Sequence, residues 1–447
     1  AADDQSLNWA FALAKRSIRT ADEGLLPVVR GWLTDPPCRM KPGRERAERL
    51  RAMTRFEQLS SPVAAKSVED TAFYRYGRLL SRNEVGSTPA QFAVSPPAFH
   101  AAASSRQANF PHAMLATATH DHKRGEDTRV RLAVLSEIPE EWAAALLRWM
   151  RLDASLVRDL DSGRAPSAAD EIMLYEMLVS AWPIGLDPND AEGTGAFSER
   201  IFSWWQKSIR EAKLRSGWAA PDEAYEAACQ GFLSGVLDAS RAARVGAEIA
   251  AFAARIGPAG AVNSLSQVML KYTVPGVPDL YQGTEFWDQS LVDPDNRRPV
   301  DFTAREKALA QGKPPEELLE SWQSGAVKQA LIARLLAMRA EMPELFGKGG
   351  YSPLAAEGAK SRNILAFSRS HEDRQIIVAV TRLPASLLGD SPIPLAPAAA
   401  WENTRLRLQE SGAAWRDALT GRSVKPGETI DASGLFASLP VALLVAN

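Results

Sequence analysis

The sequence contains few residues of the types that cross-link secreted domains or bind metals. It has two cysteines, Cys38 and Cys229, and five histidines in 447 residues. Because the two cysteines lie far apart in the chain, we expect neither a disulfide framework nor a cysteine-based metal site, and both thiols are predicted to be reduced and buried. Neither a metal nor a cofactor is expected.

The sequence also lacks a strong charge of either sign and a long apolar run. Its formal net charge of −2 gives no reason to expect nucleic acid or an anionic membrane as a partner. No apolar run approaches the roughly 18 residues of a membrane-spanning helix, and residues 1–9 do not resemble a secretion signal. We therefore expect a cytoplasmic protein. The absence of an initial Met, with a helical pattern from the start, predicts a fragment or a processed chain.

Apolar residues and tryptophans, by contrast, are plentiful. Apolar residues make up 45% of the chain and charged residues 24%, a balance that can bury a large core, and the length predicts two or three domains. Most of the twelve tryptophans are expected in the core. Because indole faces stack well on the C–H edges of sugars, a tryptophan-rich, nearly neutral chain fits a carbohydrate substrate better than a nucleotide.

The stretch from Met114 to Arg131 combines a buried strand with a dense polar cluster. Residues Met114 to Thr119 are small or apolar, which predicts a short strand. The polar residues that follow it are His120, Asp121, His122, Lys123, Arg124, Glu126, Asp127 and Arg129. Parallel α/β folds keep their chemistry at the carboxyl ends of strands, so this position favours an active site. A run of alternating charges is also typical of a solvated helix face, and the pattern alone leaves both interpretations open.

Two further stretches have a similar pattern. Val277 to Tyr281 predicts a strand, and the charged loop after it is expected to line a site. Val63 to Ala65 predicts a very short strand after a helix break at Ser61-Pro62, followed by a possible binding-site rim. The residues of that rim are Lys66, Glu69, Asp70, Tyr74, Arg75 and Tyr76. A capped helix with Asp70 near its start explains the rim equally well.

These patterns predict an α/β chain with an all-β region at its C-terminal end. Helices are predicted over 5–19, 44–59, 139–160, 170–182, 197–216, 222–256 with a break near 240, 260–271 and 315–342, and short strands beyond 350. The predicted segments are 1–60 helical, 61–138 strands with a candidate site loop, 139–258 helical subdomain, 259–345 strand and helices, and 346–447 C-terminal β domain.

Several strings together resemble one enzyme family. The chain contains THDHKRGEDTR, SPVAAKSVEDTAFYRY, LSEIPEEW, REAKLRSGW and PGVPDLYQGTEFWDQSLVDPDNRRPVDF. These strings are similar to those of the maltooligosyltrehalose synthases of the α-amylase superfamily, and the resemblance covers nearly the whole chain. It implies the later strands of a (β/α)8 barrel with a large helical insertion and a C-terminal β-sandwich-like domain, which is the C-terminal part of such an enzyme.

The resemblance also implies a reaction and roles for particular residues. Such an enzyme converts the reducing-end α-1,4 bond of a maltooligosaccharide into an α,α-1,1 bond by the chemistry of a retaining glycosidase. Asp121 matches the acid that stabilises the transition state, and His120 would bind a hydroxyl of the same sugar. The remaining substrate contacts that the resemblance implies are Lys66, Glu69, Lys123, Tyr74, Arg124, Glu126, Asp295, Asn296 and Arg297. A structural ion-pair role for Arg124 with Glu126 or Asp127 is an equal alternative.

One element of the family pattern is missing. The nucleophile of this superfamily lies in a G-x-R-x-D string and the acid is a later Glu, and the sequence contains no such string. We therefore expect the chain to be a fragment or one subunit of a split enzyme, inactive without a polypeptide that carries the first half of the barrel. The alternatives are a non-catalytic α-glucan-binding or complementing subunit and an α-glucan hydrolase.

Overall fold

The computed structural model describes residues 2–34, 40–88, 91–242, 244–408, 414–424 and 427–446. It divides into two compact units, Ala1–Asp70 and Thr71–Asn447, and each is described by itself. Cys38 lies outside the described residues, whereas Cys229 is buried as a free thiol, as predicted.

The first unit consists of helices α1 (Ala2–Ser17), α2 (Leu25–Thr34) and α3 (Arg44–Ala64), followed by a π-helical turn at Ala65–Glu69. The helices predicted over 5–19 and 44–59 are confirmed, but the break at Ser61-Pro62 and the strand at 63–65 are wrong. Pro62 lies in the last turn of α3. Its missing N–H removes only one helical hydrogen bond there, so the helix continues for two more residues.

The second unit contains the remaining helices and all the strands of the described ranges. Its helices are α4 (Pro96–Asn109), α5 (Glu126–Ala133), α6 (Pro139–Leu152), α7 (Ala168–Ala181), α8 (Ala191–Ala212), α9 (Glu223–Leu237), α10 (Val245–Thr273), α11 (Phe302–Ala310), α12 (Pro315–Leu318), α13 (Ala326–Glu341), α14 (Pro343–Lys348), α15 (Ala385–Leu388) and α16 (Ala432–Leu435). Its strands are β1 (Met114–Leu115), β2 (Arg158–Leu160), β3 (Gly163–Ala165), β4 (Val277–Pro278), β5 (Gly350–Leu354), β6 (Ala356–Glu357), β7 (Ile364–His371), β8 (Arg374–Thr381), β9 (Arg405–Arg407), β10 (Trp415–Asp417), β11 (Ser423–Val424), β12 (Thr429–Asp431) and β13 (Val441–Ala446). The prediction of a mixed α/β chain is confirmed.

Helices α6 to α10 form the predicted helical block, with two differences. The helix predicted over 139–160 ends at Leu152, and β2 and β3 form a hairpin after it. Gly163, at φ +107°, supplies the backbone conformation that this tight turn requires. The break predicted near 240 separates α9 from α10, but residues 260–271 continue α10 instead of forming a helix of their own.

Helix α10 is the central helix of the second unit. It packs against α5, α7, α13 and β8. Among the described residues it is the one helix long and apolar enough to cross a membrane, and 67% of its most apolar window is buried inside the protein. This burial on several sides explains its apolar composition. The cytoplasmic location and the five segment boundaries stay predictions.

The two predicted site strands form a parallel pair. Met114 pairs with Val277 and Leu115 with Pro278, and Gly276, at φ +132°, has no room for a side chain because a Cβ would lie 2.7 Å from Leu115. Each strand has two residues, fewer than predicted, because side chains take over the hydrogen bonds beyond them: the Thr117 carbonyl accepts from a guanidinium instead of a strand.

The chain beyond residue 350 forms two facing sheets. One has the strand order β11-β10-β13-β8-β7-β5 and the other β12-β9-β6. Phe367 pairs with Val378 across β7 and β8 and Ala366 with Ala379. The first pair belongs to the core formed with α10 and α13, and the second pair packs with Leu406 of the smaller sheet. Because neighbouring residues of β7 and β8 point to opposite faces, the larger sheet packs against α10 and α13 on one face and against the smaller sheet on the other.

Candidate active site

Two loops that follow the parallel strands lie side by side. The first loop is residues 116–125, after β1, and the second loop is residues 279–301, after β4. The Gly125 N–H donates to the Ser290 carbonyl over 2.8 Å. The Asn296 amide and the Arg297 guanidinium each donate to the His120 carbonyl over 3.2 Å. The structure thus brings His120 together with two of the residues singled out in the second loop.

The loops approach most closely at Gly125. A Cβ at this position would lie 2.5 Å from the Asp288 backbone oxygen, a distance that no side chain tolerates. The Asp288 N–H in turn donates to the Asp127 carboxylate over 2.5 Å. A glycine among charged residues therefore allows the two loops to come into contact.

The side chains of His120 and Asp121 are exposed at the tip of the first loop. The Asp121 N–H donates to the Thr119 hydroxyl over 3.2 Å, which fixes the backbone of the turn. A ligand in solution can reach both side chains. The carboxylate at Asp121 can accept hydrogen bonds from sugar hydroxyls or stabilise positive charge.

His122 lies inward and holds the two loops together. Its Nδ1 accepts from the Thr119 N–H over 3.2 Å, and its Nε2 lies 2.9 Å from the Ser290 hydroxyl. Burial lowers the pKa of His122, so the ring is neutral at pH 7. Because Nδ1 accepts, the hydrogen is on Nε2 and is donated to Ser290.

Glu84 binds backbone N–H groups of the first loop. Its carboxylate accepts from the N–H groups of Lys123 and Arg124 over 2.8 and 3.1 Å and pairs with Arg129 at 2.9 Å. Burial alone would raise the pKa of Glu84, but the Arg129 guanidinium and the backbone donors lower it below its ordinary value. The residue is therefore a charged anchor for the loop.

Lys123, Arg124 and Tyr74 are themselves buried. The Arg124 guanidinium donates to the Asn83 carbonyl over 3.0 Å and lies 5.8 Å from the Trp204 ring, and burial lowers its pKa. Around Tyr74, the ammonium of a lysine on α8 lies 6.0 Å from the ring. These buried side chains support the first loop from inside the protein.

An ion cluster lies at the start of α5. The Lys328 ammonium contacts Glu126 at 2.6 Å and Asp127 at 2.7 Å, and Lys271 lies 3.6 Å from Glu126. All four side chains are buried. Burial opposes ionisation of Glu126, but the two ammonium groups lower its pKa to about 2, whereas burial raises the pKa of Asp127. The carboxylate of Glu126 is therefore charged and bound by two lysines inside the protein.

Asp295 of the second loop likewise binds groups inside the protein. It accepts from Arg200 over 3.0 and 3.1 Å and from the Leu291 N–H over 2.7 Å. Lys66 and Glu69 belong to the first unit, where Lys66 pairs with Asp70 on the π-helical turn. Among the described residues no group of three or more His, Cys, Asp or Glu side chains could hold a metal ion.

Several solved structures resemble this chain in fold. The structure of maltooligosyltrehalose synthase from Arthrobacter ramosus superposes with a TM-score of 0.77 and 33% identity over 99% of this chain and 51% of that chain. This chain matches part of maltooligosyltrehalose synthase. A Sulfolobus tokodaii structure described as a hypothetical maltooligosyl trehalose synthase superposes with a TM-score of 0.68 and 27% identity, over 90% of this chain and 49% of that one.

A curated Mycobacterium tuberculosis protein described as a maltooligosyl trehalose synthase is 37% identical over 391 residues, 88% of this chain and 45% of the relative. The chain therefore spans about half the length of the synthases that it matches. No family model matches it.

The sequence patterns did not indicate several residues that contact the two loops and the start of α5. Glu84, Ser290 and Lys328 each lie far in the sequence from the loop residues that they contact. No local spacing marks them. Only Gly125 offered a signal, because a glycine inside a charged run at a helix start indicates a close approach of another segment.

Proposed function

We propose that the chain takes part in the conversion of the reducing-end α-1,4 bond of a maltooligosaccharide into an α,α-1,1 bond, the first step of trehalose formation from such chains. The observation that carries the proposal is the exposed His120-Asp121 pair at the end of a parallel strand, on a chain 37% identical to a relative described as a maltooligosyl trehalose synthase.

The chemistry is an intramolecular transglycosylation with retention. A carboxylate attacks the anomeric carbon while the acid protonates the leaving oxygen. The glycosidic bond breaks, and the reducing-end glucose leaves behind a covalent glycosyl-enzyme. That glucose then turns, and its anomeric hydroxyl attacks the same carbon while the conjugate base removes the proton. Asp121 stabilises the oxocarbenium-like transition state, and His120 orients the sugar through a hydroxyl. Exclusion of water directs the intermediate to the glucose and away from hydrolysis.

The nucleophile and the acid come from a second polypeptide segment that carries the first half of a barrel. Within the described residues, β1 pairs only with β4, and closure of a barrel of this type takes eight strands. Met114 is 73% exposed and Val277 45%, although both are apolar strand residues. The open edges support pairing with further strands, and the exposed side chains support packing against further residues on the faces of the sheet.

The remaining site residues divide into two groups. In the second unit, Asn296 and Arg297 contribute to the polar grip on the reducing-end glucose, whereas the buried Lys123 belongs with the residues that position the loops. Tyr74, Arg124, Glu126 and Asp295 position the two loops. Three of the second group are occupied by contacts inside the protein: Arg124 by Asn83, Glu126 by Lys328 and Asp295 by Arg200.

The test is a complementation assay with maltopentaose. The chain alone is expected to make no trehalosyl product, and addition of the part of a synthase relative that this chain does not match should restore it. Asp121→Asn should abolish the restored activity while the two polypeptides still associate. Robust product from the chain alone would contradict the need for a partner. Glucose as the main product would identify a hydrolase, and full activity of Asp121→Asn would exclude the assigned role.

A further inference from the structure

A cavity lies between helix α8 and the second loop. Its volume is about 480 Å³, and it lies between helix α8, the segment after α8 and residues 291–298. This volume is within the range of about 300–1,000 Å³ that is usual for small-molecule sites. Asn296 and Arg297 on the same loop bond to the His120 carbonyl, so the cavity and the candidate active site share one segment.

The charged side chains of the cavity compensate one another. They are Glu199, Arg200, Lys207, Asp293, Asp295 and Arg298. Three are acidic and three are basic. Arg200 pairs with Asp295 at 3.0 Å and Lys207 with Asp293 at 2.9 Å. A balanced set of charges does not favour a phosphate or a cation, whereas fixed donors and acceptors suit a neutral ligand with many hydroxyl groups.

Two tryptophans complete the wall. Trp218 is 55% exposed, which is unusual for so large an apolar side chain, and the Arg210 guanidinium lies 5.0 Å from its ring centroid. Trp204 is buried, and its indole N–H has no hydrogen-bond partner among the described residues. An exposed indole face binds the C–H surface of a pyranose.

We propose that this cavity binds a segment of an α-1,4-glucan, with Trp218 as the stacking surface. The inference rests on the proposed function, because it assigns the cavity to another part of the same maltooligosaccharide substrate. One glucan held in this cavity and at the candidate active site would gain affinity from two contact regions. Its reducing end would be held near His120 and Asp121.

The experiment is a titration of the full chain with maltoheptaose, followed by ligand-observed NMR and calorimetry. Trp218→Ala should weaken binding by about tenfold, the loss expected for one stacking contact, and Trp218→Phe should retain most of the affinity. Trp9→Ala is the matched control, because Trp9 is a similarly exposed tryptophan in the first unit and its removal should leave binding unchanged. Inorganic phosphate should not compete with maltoheptaose.

The outcomes separate this inference from the proposed function. Unchanged binding by Trp218→Ala, or displacement of maltoheptaose by phosphate, would overturn the inference even if complementation restored synthase activity. Tenfold weaker binding by Trp218→Ala, without trehalosyl product in the complementation assay, would support the glucan cavity and reject the synthase. Asp121→Asn serves as a second reference: its binding of maltoheptaose should depend on Trp218 as in the unchanged chain.

Discussion

The two halves of the charged run over residues 120–129 differ in their exposure to solvent. His120 and Asp121 are exposed, whereas Lys123, Arg124 and Glu126, a few residues later, are buried. The composition of the two halves is similar, and the difference comes from what packs around them. Glu84, Lys328 and the second loop enclose the later half. The comparison teaches that a dense charged motif can contain both an exposed tip and its own buried support.

Removal of Lys328 should have the largest effect on this comparison. Lys328→Met leaves Glu126 and Asp127 buried without their shared ammonium, and the loss of one partner of a buried ion pair costs about 3–5 kcal/mol of the free energy of unfolding. Urea denaturation measures this loss. The matched control is Lys348→Met, which removes an exposed ammonium paired with Glu344 and should not measurably change the midpoint. Equal midpoints for the two variants would contradict a supporting role of the cluster.

The close approach of the loops should be nearly as sensitive. Gly125→Ala forces a methyl group against the Asp288 backbone oxygen, and the expected cost is about 2–3 kcal/mol because backbone must move. Gly434→Ala is the control, since a Cβ there meets nothing within 4 Å. Chemical denaturation compares the two. If Gly125→Ala were as stable as the control, the loops would not be in tight contact in solution.

The partly buried Glu137 and the buried Glu176, both outside the cluster, should give a pH dependence of stability. Burial raises the pKa of Glu137 to about 7, and the same cause raises that of Glu176 to about 7. Between pH 4.5 and 7 the folded chain then holds more protons than the unfolded chain, so the free energy of unfolding falls as pH rises through this window.

Glu137→Gln should remove about 1–2 kcal/mol of that fall, as measured by urea denaturation at pH 5 and pH 7.5. Glu248 supplies the contrast, because its hydrogen bonds with Arg148 lower its pKa. Its contribution is therefore present above pH 4.5 and lost as the pH falls further, so Glu248→Gln should alter the acid side of the profile. An unchanged slope between pH 5 and 7.5 in Glu137→Gln would contradict the raised pKa.

The sequence allowed prediction of those features that depend on local signals. The strands at 114 and 277, and the helix that precedes the second of them, follow from apolar spacing and from punctuation such as Gly276. The short strands beyond residue 350 follow from the same alternation. These signals are strong because each is contained within about ten residues.

The features that could not be predicted depend on contacts between distant residues. Glu84 reaches the first loop and Lys328 reaches the start of α5 from other parts of the chain, and no pattern near either of them indicates this. Burial of Arg124 and Glu126 likewise follows from packing, so the motif alone could not separate substrate contacts from supports. The first strand is shorter than predicted because the Thr117 carbonyl accepts a hydrogen bond from Arg129 and not from a neighbouring strand.

The smallest effect on stability is expected at Asp121. Because its side chain is exposed, Asp121→Asn should change the free energy of unfolding by no more than about 0.5 kcal/mol, in contrast to Lys328→Met. The same substitution should abolish the complemented synthase activity, because the amide cannot stabilise positive charge at the anomeric carbon as a carboxylate does. Denaturation and the maltopentaose assay on one preparation measure both quantities. A large loss of stability would place Asp121 among the supports and remove the contrast between the two halves of the run.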